Sequence, residues 1–229
     1  MESVKINDRL LSAVPFVREG MRLADIGTDH AYLPIHLVMI GRIESAVAAD
    51  INQGPLDKAL ENIHKNGLEE KISTVLCDGL KKVEPELVDD VAIFGMGGEL
   101  IVKIIDEAHW LKSSEKRLIL QPMTHPEKVR EYLAVQGYNI IGEAISYDRG
   151  KIYQTICAEY DGVKRELCGI ELMLGNKNIS RGGELFLELV SQKKKVLKIT
   201  IDGRKKGGLD TSFEEKLLCE LEQIECRKD

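Results

Sequence analysis

Seven short apolar runs, the first five separated by stretches of helical periodicity, constrain this chain more than any other feature. The runs are residues 22–27, 46–50, 72–77, 91–95, 117–121, 138–147 and 151–159. Segments between them, such as 54–66 and 126–136, place apolar residues at helical spacing. Strands alternating with helices predict an α/β fold with a parallel sheet and crossover helices. No helix separates the last two runs, and "SYDRGK" between them is a turn sequence. They are therefore expected to form an antiparallel hairpin at one edge of the sheet.

After residue 159 the pattern changes. Leu167, Ile170 and Leu174 are three and four apart, as are Leu185, Leu189, Gln192, Val196 and Ile199, and Leu217, Leu221 and Ile224 repeat the spacing. Glycine-bearing breaks fall at "SRGGE" (180–184) and "DGRKKGGLD" (202–210). A sheet domain over 1–159 is thus expected to be followed, over 160–229, by three helices. Two of them would form an antiparallel, coiled-coil-like hairpin too short to stand free.

In open parallel sheets, ligands bind beyond the carboxyl ends of the strands. The first strand ends in Asp25-Ile26-Gly27-Thr28-Asp29-His30, with one glycine where a dinucleotide fingerprint has three. Two carboxylates would repel a pyrophosphate. They suit a ligand carrying an ammonium, a sulfonium and ribose hydroxyls, which describes S-adenosylmethionine. Taken alone, the motif reads more often as a turn and helix start. Asp50 ends the second strand 23 residues past Gly27, near the offset at which an acid meets ribose, or else caps the next helix. Asp78-Gly79 ends the third, where a carboxylate can accept from an adenine amino group or simply make a turn. Three acids at three successive strand ends carry joint weight.

The fourth strand ends in Gly95, Met96, Gly97 and Gly98, which permit close backbone approach where a substrate would meet the cofactor. A tight packing turn is the alternative, and three glycines in four residues weigh against it. Gln121, before Pro122, ends the fifth strand with an amide suited to a flat heterocycle edge. His125 reads as a helix-start residue, and Lys151 and Tyr153 as surface residues of the hairpin.

Charge and composition exclude other classes. No run of about 18 apolar residues is present, so no membrane span is expected. The start, "MESVKINDRLLSAVPF", lacks the apolar core of a signal peptide, so a cytoplasmic location is expected. Cys77, Cys157, Cys168, Cys219 and Cys226 contain no C-x-x-C pair, which fits a reduced compartment and no metal. A net charge of −6 argues against a protein that coats nucleic acid. Residues 160–229 nevertheless hold 14 Lys/Arg against 13 Asp/Glu, leaving room for local basic patches at Lys193–Lys195 and Arg204–Lys206. A solvated helical face is the other reading of those lysines.

The strand ends also carry a resemblance. "ADIGTDHAYLPIHLV", "DINQGPLDKALENI", "GMGGELI", "LILQP" and "GKIYQTICAE", in this order, resemble the bacterial tRNA (adenine(22)-N1)-methyltransferase family, TrmK. The likeness runs from about Arg9 to Glu159. It implies a Rossmann-like class I methyltransferase sheet of parallel strands plus one antiparallel edge hairpin, with a C-terminal helical coiled-coil-like domain. It further implies methyl transfer from S-adenosylmethionine to N1 of adenosine 22 in tRNA, leaving S-adenosylhomocysteine.

On that resemblance Asp25, Gly27 and Asp29 form the methionine side of the cofactor site, Asp50 takes the ribose and Asp78-Gly79 the adenine. Gly95, Met96, Gly97 and Gly98 line the junction with the target, and Arg9 faces the cofactor carboxylate. Asp29, His30 and Gln121 position the base without a strict general base. Met123 stands where the family typically has Asn. The implied partner is tRNA, with no membrane and no metal, and a monomer is expected. Three alternatives differ in class or acceptor. An NAD-dependent oxidoreductase is disfavoured by the missing glycine fingerprint and the terminal hairpin. A methyltransferase for another RNA or a small molecule, and a non-catalytic S-adenosylmethionine-binding RNA-binding protein, share the same sheet.

Overall fold

The computed structural model describes residues 6–226. The reading of residues 1–5 as a mixed, charged start, and of the Cys226 thiol as reduced, falls outside what is described. Cys77, Cys157, Cys168 and Cys219 are free thiols. No helix among the described residues is long and apolar enough to cross a membrane. Two compact units meet in sequence between Glu166 and Leu167.

The first unit is built on seven strands: β1 (Met21–Ile26), β2 (Ile43–Asp50), β3 (Ile72–Leu76), β4 (Asp90–Phe94), β5 (Arg117–Gln121), β6 (Tyr138–Asp148) and β7 (Lys151–Tyr160). Their order in the sheet is β3-β2-β1-β4-β5-β7-β6. The pairs up to β4–β5 are parallel, and β7 runs antiparallel to both β5 and β6. This is the expected fold class, with each strand within a few residues of its expected limits. Strand order reverses between β1 and β4, so the crevice for a ligand opens above their carboxyl ends.

Continuous apolar runs are required because both faces of the sheet are covered. In β4, Val91 and Ile93 point to one face and pack with Ile101, Ile105 and Leu133 from α4 (Gly98–Glu107) and α5 (Pro126–Gln136). Ala92 and Phe94 point to the other and join Leu33, Leu37 and Ile63 from α2 (Tyr32–Met39) and α3 (Gln53–Lys65). A four-residue helix, α1 (Asp8–Leu11), precedes the sheet and is capped by Asn7, whose Oδ1 accepts from the Leu10 amide at 3.0 Å.

The hairpin is pinned at three places. Asp148 pairs with Lys151, leaving Arg149-Gly150 as a two-residue turn with both φ angles positive, +48° and +80°. A bulge between Ile140 and Gly142 bends β6 beside Phe16, which leaves no room for a side chain at Gly142. Arg130 on α5 donates to Glu143 Oε1 and Gln154 Oε1, both at 2.7 Å, joining α5 to β6 and β7 inside the core. The ion pair is fully buried, so its stability rests on this complete hydrogen bonding.

The second unit departs from expectation in three respects. Among the described residues it holds four helices, α6 (Gly169–Leu174), α7 (Asn176–Arg181), α8 (Glu184–Lys206) and α9 (Ser212–Cys226), where three were expected. The extra one is α7, whose polar sequence shows no apolar period. The break expected across 202–210 comes late: α8 runs through Gly203 and stops at Gly207. One helical glycine costs only about 1 kcal/mol, and Arg204, Lys205 and Lys206 suit the negative end of the helix dipole. Finally, α8 buries Phe186, Leu189, Val190, Leu197 and Ile201, while Val196 and Ile199 of the expected seam are 60% and 73% exposed. Two apolar phases overlap on this helix, and α9, with Leu217 and Leu221 buried, packs with α8.

Candidate active site

The turn after β1 is held by its own residues. Gly27 and Thr28 donate their amides to Ala49 O at 2.8 and 3.0 Å, stitching the turn to β2. Gly27 has φ +72°, and a Cβ there would run into the Met96 side chain. Thr28 Oγ1 donates to Asp25 Oδ2 at 2.6 Å, and both residues are buried. His30 and Ala31 both lie in the left-handed region, at φ +62° and +57°, where the chain turns sharply into α2. Asn62 of α3 donates to His30 O at 3.0 Å and secures that turn.

Above these strand ends lies a cleft of about 380 Å³, lined by Arg9, Asp25, Gly27, Asp29, Asp50 and Met96 among others. Burial pushes the Asp25 carboxyl up to about 6, with Asp29 and Asp50 adding to the rise, against the pull of Thr28 and Arg9. A buried carboxylate with one hydroxyl donor is poorly compensated when ionised. Three acids around an opening of this size therefore fit a cationic, hydroxyl-bearing ligand, and S-adenosylmethionine meets that description. Asp50 Oδ1 also accepts from the Asn52 amide at 2.7 Å, so this acid makes a turn and faces the cleft at once. Gly95, at φ +75°, lines the same cleft with nothing within 4 Å of where a Cβ would stand.

A second cleft of about 450 Å³ shares Arg9, Leu10, Asp29 and Gly95 with the first. Its remaining walls include Tyr32, Met123, Arg149 and Tyr153. His30 stacks on Tyr32 with centroids 5.3 Å apart, and the Arg9 guanidinium lies 5.7 Å from the Tyr153 ring centroid. Asp29 Oδ1 stands 3.3 Å from His30 Nε2, its side chain 72% exposed. The Asp29 carboxylate therefore sits where the two clefts meet.

Three groups of candidate residues are placed otherwise. Gln121 is fully buried, which corrects the expectation that its amide meets a heterocycle. Its Nε2 donates to Arg9 O at 3.0 Å and Thr155 Oγ1 at 2.8 Å, and its Oε1 accepts from Arg9 Nη1 at 3.3 Å. Gly97 and Gly98 do not line the first cleft. Gly98 donates to Thr124 O at 2.8 Å, and a Cβ on it would stand inside contact distance of the Thr124 and His125 carbonyl oxygens. Their glycine character answers a packing turn, the account weighed as weaker from sequence. Asp78 pairs with Lys81 at 2.5 Å, and Gly79 lines a separate groove with Ile104 and Trp110. Neither lines the acid-rich cleft, although Asp50 O accepts from the neighbouring Cys77 amide at 3.0 Å.

Sequence reasoning missed Thr28, Thr155 and Ser12, whose Oγ accepts from Gln121 Nε2 at 3.2 Å and lies 2.8 Å from Thr155 Oγ1, and took Tyr153 for a surface residue. Two adjacent polar residues, Gln154 and Thr155, inside the otherwise apolar run Ile152–Cys157 were the available signal for Thr155.

Comparison with known proteins adds to this geometry. A methyltransferase domain model matches residues 6–156. The tRNA (adenine(22)-N(1))-methyltransferase of Bacillus subtilis is 36% identical over 170 residues, 71% of each chain. A Streptococcus pneumoniae structure described as a candidate tRNA (m1A22) methyltransferase in complex with S-adenosyl-L-methionine superposes with a TM-score of 0.85 at 30% identity. It covers 96% of this chain and 99% of that one. M. capricolum TrmK in complex with its cofactor product S-adenosyl-homocysteine gives a TM-score of 0.78 at 27% identity, covering 97% of both chains.

Proposed function

The chain belongs to the tRNA (adenine(22)-N1)-methyltransferase family, and from that premise we propose how its own residues carry the reaction. It transfers a methyl group from S-adenosylmethionine to N1 of adenosine 22 in tRNA. When bound, S-adenosylmethionine supplies an electrophilic methyl carbon on its sulfonium and leaves as S-adenosylhomocysteine. The observation that carries the residue assignment is the pair of adjoining clefts, one with three acids in its wall and one with two tyrosines, with Asp29 at their junction.

In the first cleft Asp25 and Asp29 face the ammonium and sulfonium, Asp50 holds the ribose hydroxyls, and Arg9 meets the carboxylate. Gly27 and Gly95 with Met96 let the backbone come close to the ligand. Asp78 and Gly79 serve the adenine end from the neighbouring strand end, while Gly97 and Gly98 fix the turn that carries Met96.

In the second cleft the extruded adenine lies between Tyr32, backed by His30, and Tyr153. N1 of neutral adenine holds an in-plane lone pair, so attack on the methyl carbon needs no deprotonation. The work left to the protein is alignment and exclusion of water. The product base is a cation, and the Asp29 carboxylate stabilises the charge as it develops. Gln121 acts through Arg9: its hydrogen bonds to the Arg9 carbonyl and guanidinium hold α1 at the shared wall. The sheet domain over 1–159 would thus hold both substrates, with the helices of 160–229 reaching further along the tRNA, in a monomer working in the cytoplasm.

The test is methyl transfer from labelled S-adenosylmethionine to unmodified bacterial tRNA, followed by nucleoside analysis. One-methyladenosine should appear with tRNA bearing adenosine 22 and vanish when that base is changed. S-adenosylmethionine binding without transfer would move the search to another acceptor.

A further inference from the structure

At the rim of the aromatic-walled cleft, Arg149 occupies a position for which arginine is poorly suited. It is the first residue of the two-residue turn between β6 and β7, with φ +48°. Turns of this kind take Asn-Gly or Asp-Gly, because both central residues sit in the left-handed region. A long side chain there is strained. The sequence supplies Gly150 at the second position but spends the first on a cation.

Nothing within the fold accounts for that choice. Arg149 is exposed and forms no ion pair or hydrogen bond among the described residues. The adjacent acid, Asp148, accepts from Asn7 Nδ2 at 3.3 Å instead. Yet Arg149 lines the second cleft together with Tyr32, Met123 and Tyr153. A base that enters such a cleft from a polynucleotide brings its own phosphodiesters to the rim, where a cation with several N–H donors can hold them.

We propose that Arg149 binds the backbone phosphate of the extruded nucleotide, so that the strained turn is retained for substrate capture. This rests on the assignment of the second cleft to the target adenine. The guanidinium fork suits a phosphate through paired N–H donors, and the short turn holds it at a constant distance from the cleft. The residue engages the nucleic acid backbone and leaves the choice of base to the cleft.

Arg149→Asn and Arg149→Gly separate this role from a structural one, because both substitutions suit the turn better than arginine does. Each should keep or raise the melting temperature and leave S-adenosylmethionine affinity unchanged. The KM for tRNA should rise about tenfold, with kcat nearly constant. The slope of log kcat/KM against log salt should flatten by about 0.7 to 0.9, the loss of one phosphate contact. Arg149→Lys should recover part of the affinity. If the wild type methylates tRNA and the Asn variant matches it in KM and salt slope, the proposal is wrong and the cleft assignment stands. If the wild type binds S-adenosylmethionine but methylates no tRNA, the cleft assignment fails and the proposal falls with it.

Discussion

Asp25 shows most clearly how surroundings alter a side chain. Its carboxyl, at about 6 in the fold against 3.8 for an exposed aspartate, holds its proton over the window between those values. A raised folded value means the stabilising contribution is present below about pH 4 and lost as pH rises through 6. A cationic ligand reverses the preference, since it binds the ionised form. Affinity for S-adenosylmethionine should therefore be flat above about pH 7 and weaken below 6, approaching tenfold per pH unit. In Asp25→Asn the dependence should disappear and the affinity should be lower throughout. Calorimetric titration from pH 5 to 8 measures this, and a flat profile in the wild type would overturn it. Asp29 should respond differently. Asp29→Ala removes a largely exposed acid at the junction of the clefts, so kcat should fall about 100-fold while S-adenosylmethionine still binds. Intact turnover would remove Asp29 from the chemistry. The acids were legible in the sequence because a strand end is a local property. Gln121 was not, because its partner Arg9 lies 112 residues away in the chain.

Elements place these residues by packing against one another. The α4 N-terminus meets the turn before α5 backbone to backbone, through Gly98 N and Thr124 O and the bridge between Gly97 and Thr124. Gly98→Ala should push the two segments apart and cost about 1–3 kcal/mol, read as a lowered melting temperature. Because this turn also carries the Met123 amide that donates to Met96 O at 2.8 Å, cofactor affinity should fall with it. An unchanged melting temperature would show that the turn is looser than its contacts suggest. Three glycines in four residues announced a close approach, but spacing could not say whether the approaching group was ligand or protein. The same ambiguity governs α8, where two apolar phases were present and the exposure of Val196 and Ile199 shows which one the bundle left outside.

The whole molecule is a catalytic sheet unit followed by a helical unit, and the two should separate cleanly in function. A chain cut after Glu166 keeps the segment that follows β7, where Asp161 and Gly162 donate to Gly137 O and Arg165 N donates to Ala134 O. Such a protein should bind S-adenosylmethionine within about threefold of the full chain, while tRNA affinity at moderate salt falls at least roughly tenfold. Equal tRNA affinity would remove the helices from substrate binding. Of the cations singled out there, Arg204 and Lys205 already pair with Glu214 and Glu215 at 3.4 and 2.6 Å, so their charge is partly spent between α8 and α9.

Periodicity alone was enough for the fold class, since an apolar run bounded by a turn and a helix repeat each state their structure over a few residues. The strand-end acids, and with them the chemical character of the cofactor, were readable for the same reason. The assembly of Asp25, Asp29 and Asp50 with Gly95 and Met96 into one cleft depended on strand order, which sets β1 between β2 and β4 and brings distant turns side by side. The burial of Gln121, the packing role of Gly97 and Gly98, the phase of α8 and the position of Arg149 at a cleft rim were decided only there. Each depends on which distant surface a side chain meets, and that surface exists only once the chain has folded.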